Sequence, residues 1–175
     1  GSRYPRRHQL LREAGIGFTP APPFGVAEVY PETIAANDVP VYLSDLKAKG
    51  FPDPLTSGDI LITADTVVIL SDRIIGKPDG RYDAIRTLTQ LSGNRQTVIT
   101  GVTLRSRNSI RHFSTSSDVW FRGLAAEEIS YYVDTCKPFD KAGAYGIQEW
   151  IGYIGIERIE GSFYNVMGLP IQQLY

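Results

Sequence analysis

Asp65 is a lone carboxylate in a largely apolar run, Ile60-Leu61-Ile62-Thr63-Ala64-Asp65-Thr66-Val67-Val68-Ile69-Leu70. Such a β-branched run reads as a central, buried strand, where an uncompensated carboxylate costs on the order of several kcal/mol. Two readings are open from the strand alone. The acid either accepts backbone or hydroxyl hydrogen bonds as a structural group, or is offset by a cation or metal and does chemistry. Cations of a suitable kind stand elsewhere. Ser2-Arg3-Tyr4-Pro5-Arg6-Arg7 sets a hydroxyl and guanidinium groups at a helix start, where unpaired N–H groups and the helix dipole already favour anions. Arginine adds planar, paired donors that match phosphate.

Lys77, between Gly76 and Pro78, is held on restrained backbone. Lys47, in Leu46-Lys47-Ala48-Lys49, is a further cation, although a helix lysine is most often a solvated surface group. Asp140-Lys141 is followed by Ala142-Gly143-Ala144-Tyr145-Gly146, a stretch able to bend tightly and bring bare backbone to a ligand. Gln148 offers the donor and acceptor edges that read a nucleobase, and equally fits an exposed amide in a capping turn. Glu28 and Glu32 are loop acids able to share a metal with Asp65, or simply solvated.

No nucleophile stands out. The single cysteine, Cys136, ends a helical pattern, and two histidines, His8 and His112, lie in separate neighbourhoods. A Ser/His/Asp triad or a histidine-rich zinc site is hard to assemble from these, so a metal would be magnesium-like with oxygen ligands, and the attacking group would be water.

A net charge of −1 over 175 residues argues against general nucleic-acid binding. Hydrophobic content of 42% and charged content of 21% fit a globular domain, and no apolar stretch approaches the roughly 20 residues of a membrane span. With one cysteine and no leader-like segment, a cytoplasmic location is expected. The length fits one domain over 1–175.

The elements that must hold these residues follow from periodicity and turn signals. A helix opens at Pro5 and stops at Gly15, with Leu10, Leu11 and Ala14 inward. Segment 18–37 reads as a short strand and a long loop. A helix over 39–49 has Asp38 as N-cap and Gly50 as terminator. The Asp65 strand turns at Ser71-Asp72 into Arg73-Ile74-Ile75. A helix over 82–91, with Ala84, Ile85, Leu88 and Leu91 inward, precedes a hairpin of strands 96–105 and 110–122. A helix over 125–135, a strand over 154–160 and a closing helix over 167–174 complete the chain. This mixture predicts a mixed sheet with flanking helices in an α/β or α+β domain.

Taken in order, Ser2-x-x-Pro5-Arg6-Arg7, Ala64-Asp65-Thr66-Val67-Val68, Gly76-Lys77-Pro78, Leu91-Ser92-Gly93, Thr100-Gly101-Val102, Asp140 through Gln148 and Asn165-Val166-Met167-Gly168-Leu169-Pro170 resemble the Maf-like nucleotide pyrophosphatases across essentially the whole chain. The resemblance implies a bilobed α/β domain on a long mixed β-sheet, similar to inosine triphosphatases, with the active site in the cleft and homodimers common. It implies hydrolysis of a nucleoside triphosphate to the monophosphate and pyrophosphate with a divalent metal such as Mg, Mn or Co. Carried over by motif, Asp65 is the water-activating base and a metal ligand, and Glu28 is the second acid at the metal. Arg7, Lys47 and Lys77 meet phosphates, and Ser2 and Lys141 belong with the substrate groups. Arg6, Thr66 and Gln148 match the branch acting on dTTP and UTP. A tryptophan, a glutamine and a glutamate stand there in the branch acting on 7-methyl-GTP. Two departures keep other readings open: Tyr4 replaces the usual serine and Ala27 replaces an acid, as in a nucleotide-binding regulator linked to cell division that has lost catalysis. Similar chains also carry a strand ahead of the Ser2 position.

Overall fold

The structure, a computed structural model, describes residues 5–175. The expectations for Ser2 and Tyr4 lie outside the described residues.

Among these residues the chain builds α1 (Pro5–Glu13), α2 (Val39–Lys49), β1 (Leu61–Leu70), β2 (Arg73–Ile75), α3 (Arg81–Leu91), β3 (Arg95–Arg105), β4 (Ile110–Phe121), α4 (Ala126–Cys136), a 3-10 turn over Ala142–Ala144, α5 (Trp150–Gly155), β5 (Ile156–Glu160), α6 (Phe163–Met167) and α7 (Ile171–Leu174). The strands form one sheet in the order β2-β1-β3-β4-β5, flanked by helices, so the expected α/β class is observed. Every pairing among the described residues is antiparallel. Short connections impose this locally. Ser71 and Asp72, both left-handed with φ of 48° and 64°, make the two-residue turn that reverses β1 into β2, and a tight turn at Ser106–Ser109 reverses β3 into β4.

The period of two along β1 divides its side chains between two layers. Val67 and Ile69 face α2 and pack with Val39, Leu43 and Ile99. Ala64 and Val68 face the main core, which includes Leu10, Leu88, Leu91, Val98, Val102, Val119, Phe121 and Tyr132. Asp65 shares the parity of Val67 and therefore turns toward α2, while Thr66 turns to the opposite face.

Gly101 is paired with Asp65 across the β1–β3 ladder. A Cβ on Gly101 would overlap the Pro40–Val41 peptide of α2, so the helix backbone lies directly on the strand at this point. Ser44 locks the crossing: it accepts from Thr63 Oγ1 through its carbonyl at 2.7 Å, and its hydroxyl lies 2.8 Å from that of Thr103.

Several local expectations are revised. Residues 18–37 contain no strand. Their density of proline and glycine leaves few backbone donors at strand spacing. Asp38 makes no side-chain cap at α2; its carbonyl accepts from Tyr42 N–H at 3.0 Å, and Pro40 fixes the first turn. Ile85 is only partly buried, whereas Ala84, Leu88 and Leu91 are fully inside. The helix α5 stands where the front of the last strand was expected. The closing helix is two short ones, because Gly168 adopts φ of 118° and Pro170 cannot continue the first.

Gly101→Ala should therefore lower unfolding free energy by about 3 kcal/mol, the upper range for overpacking against backbone. Urea denaturation checks this; a change below about 0.5 kcal/mol would mean that α2 does not rest on β3 at Gly101.

Candidate active site

Lys47 lies in the last turn of α2 and reaches down to β1. Its Nζ is ion-paired with Asp65 Oδ1 and lies 2.8 Å from Glu28 Oε1. The side chains of Lys47 and Asp65 are only 17% and 13% exposed, so this pair is screened far less than a surface one. Lys77 Nζ stands 3.8 Å from the other oxygen of Glu28. One ammonium thus joins two acids from different segments, and a second cation flanks them. Burial alone would push the Glu28 carboxyl up. The hydrogen bond and charge of Lys47, with the charges of Lys77 and Arg7, outweigh it and hold Glu28 below its ordinary range.

On the other face of β1, Arg7 is 7% exposed. Its Nε donates to Gly168 O at 2.7 Å, Nη1 to Ala64 O at 2.8 Å and Nη2 to Thr66 Oγ1 at 3.0 Å. Thr66 Oγ1 lies 2.8 Å from Thr100 Oγ1, which donates to Asn165 O at 3.1 Å. Arg7 therefore ties α1, the Asp65 strand and the α6–α7 junction together. It is Arg7, one residue beyond Arg6, that contacts Thr66.

Glu28, Asp65, Thr66, Arg7 and Lys77 line a cavity of about 240 Å³ together with Arg6, Asp140 and Lys141, with Tyr30, Leu43 and Met167 among its apolar walls, while Lys47 stands behind the two acids. The volume is slightly below the roughly 300–1,000 Å³ of whole small-molecule sites, and suits the charged end of a ligand. Gly143 N–H donates to Gly76 O at 3.1 Å, which joins the Lys77 loop to the Lys141 turn. Asp140 is lifted by burial, but the Lys141 hydrogen bond and charge, with a smaller contribution from Arg6, bring it below its usual range.

Gln148 is not on this cavity. It lines a neighbouring one of about 560 Å³ with Tyr153, Arg158 and Tyr164, and Met167 is shared between the two. Glu32 is exposed and outside the cavity wall. His8 packs against Phe18, and His112 Nδ1 lies 3.1 Å from Thr103 Oγ1; neither lines the cavity. Among the described residues no cluster of three or more His, Cys, Asp or Glu side chains converges as a ready metal cage. Sequence reasoning passed over Tyr132, whose helical spacing marked only core, and Glu149, one residue past the recognised motif.

A sequence profile described as Maf-like protein matches residues 1–175. The chain belongs to the Maf-like family. It is 48% identical over 174 residues to a protein of Bacteroides thetaiotaomicron named dTTP/UTP pyrophosphatase, covering 99% of this chain and 90% of that one. A Porphyromonas gingivalis protein of the same name is 49% identical over 177 residues, covering 100% and 89%. One from Cytophaga hutchinsonii, also so named, is 45% identical over 174 residues, covering 97% and 77%. In this Maf-like chain Arg6-Arg7, Asp65-Thr66, Gly76-Lys77, Asp140-Lys141 and Met167-Gly168 line one cavity, whereas Leu91-Ser92-Gly93, Thr100-Gly101-Val102 and Gln148 do not.

Because Glu28 is depressed in the folded state, its contribution to stability is complete above its ordinary value of 4.5 and is lost as pH falls through the lower, folded value. The stability difference between wild type and Glu28→Gln, expected to be below about 1 kcal/mol for so exposed a pair, should be constant above about pH 5 and vanish on further acidification. Urea midpoints across that range check it; a difference that grows toward low pH would contradict the assignment.

Proposed function

We propose that this protein is a metal-dependent nucleoside triphosphate pyrophosphatase acting on dTTP and UTP, modified uridine triphosphates included. The observation that carries the reading is the joining of Asp65 and Glu28 by the Lys47 ammonium, with both acids on the wall of a cavity that also presents Arg6, Lys77 and Lys141. A buried acid beside a set of cations is what hydrolysis of a phosphoanhydride needs. The anion is bound and neutralised, and an adjacent base removes a proton from water.

In this reading Asp65 takes the proton as water oxygen bonds to the α-phosphorus and the α–β anhydride bond breaks, releasing pyrophosphate. Lys47 orients the Asp65 carboxylate through their ion pair, and with Lys77 and Arg6 balances charge growing on the phosphate oxygens. Arg7 acts mainly by holding the Thr66 hydroxyl and the Ala64 and Gly168 carbonyls in place around the phosphate end. The substrate range rests on the names of the relatives together with Thr66 and Gln148. A base reaching Gln148 would extend past Met167.

The donor set also fits a magnesium-like ion. Asp65 and Glu28 are hard oxygen ligands brought near each other by Lys47, and such ions are commonly held by one or two carboxylates plus substrate phosphates. When bound there, the ion would supply charge neutralisation at the phosphates.

Asp65→Asn should reduce pyrophosphate release from dTTP by about 10²–10⁴-fold, the usual worth of a general base, with the fold retained. Coupled pyrophosphate detection and circular dichroism check this. Activity within tenfold of wild type would remove Asp65 from the role of base.

A further inference from the structure

Tyr132 lies on α4, is completely buried, and bonds the end of the glycine-rich turn at Gly146 and Glu149 just beyond it. Its hydroxyl oxygen accepts from Gly146 N–H at 3.0 Å and its proton goes to Glu149 Oε2. The direction is fixed, because a phenol has one proton and Gly146 N–H can only donate. Burial first, and then the bond to Glu149, push the Tyr132 phenol up, so it remains a neutral donor.

The other oxygen of Glu149 lies 3.1 Å from Lys141 Nζ, and Asp140 Oδ1 lies 2.8 Å from the same nitrogen. Lys141 is 11% exposed and lines the cavity. An ammonium has three N–H bonds, so two carboxylates leave one direction for a ligand. Gly146 makes the arrangement sterically feasible. A Cβ there would stand 2.8 Å from Glu149 Cδ, so the carboxylate can fold back over the turn only because residue 146 lacks a side chain.

We infer that Tyr132 and Glu149 are positioning residues that act through Lys141, aiming its ammonium at a phosphate group in the cavity. The proposal rests on the phosphate-binding reading of that cavity. In the absence of the chain from Tyr132 to Glu149, Lys141 loses the support that opposes its swing toward Asp140, whose side chain is 58% exposed.

The test is a double-mutant cycle read as binding of inorganic tripolyphosphate by calorimetry, a measurement that needs no turnover. Tyr132→Phe and Lys141→Met should each weaken binding about tenfold, and the double variant no further than Lys141→Met alone. Glu149→Gln should reproduce the Tyr132→Phe loss and covers the case in which Tyr132→Phe fails to fold. Losses that multiply in the double variant, or unchanged affinity in Tyr132→Phe and Glu149→Gln while Lys141→Met binds weakly, would overturn positioning through Lys141. Absence of tripolyphosphate binding by wild type would overturn both this inference and the phosphate-binding reading. Wild-type binding without pyrophosphate release from dTTP would instead sink the enzymatic reading alone.

Discussion

Lys47 can reach β1 only because α2 lies directly on β3, and that contact is possible only because Gly101 has no side chain. The resulting ion pair crosses from a helix to the middle of a sheet. It offsets the charge of an acid placed where an acid would otherwise be costly, and it recruits Glu28 from a loop that has little regular structure of its own. Removing one member of such a shielded pair leaves its partner uncompensated, which is why the cluster constrains the surrounding backbone as well as the chemistry.

The alternation of β1 gives the sheet two functions at adjacent positions. Asp65 points to the α2 layer and meets Lys47, while Thr66 points to the opposite layer and meets Arg7. Arg7, Thr100 and Gly168 then connect the first helix to the last two. The cavity wall is therefore assembled from segments far apart in sequence but fixed to one strand, so its geometry depends on strand register. A slip of one residue would exchange the two faces.

Much of this was legible in the sequence for identifiable reasons. The apolar run around Asp65 fixed the strand, and Gly and Pro marked the ends of α1, α2 and the Lys77 loop. The partner of Asp65 was less visible: Lys47 lies in an ordinary helical pattern, and its burial comes from the crossing at Gly101, a tertiary contact with no local signature. Short turns account for the antiparallel pairing of β1 with β2 and of β3 with β4, whereas β1 and β3, and β4 and β5, are connected through helices and their pairing has no local signature. The contact of Arg7 rather than Arg6 with Thr66 depends on how α1 is rotated, which a one-residue difference in helical phase decides and a motif cannot. The separation of Gln148 from the cavity beside Asp65, and the chain from Tyr132 through Glu149 to Lys141, likewise arise from how the glycine-rich turn folds against α4.

The most direct test of the Asp65–Lys47–Glu28 cluster as a phosphoanhydride site is product analysis of wild-type protein incubated with dTTP and magnesium. The account calls for dTMP and pyrophosphate in equal amounts. Formation of dTDP and orthophosphate, or saturable binding of dTTP with no product under magnesium, manganese or cobalt, would contradict it.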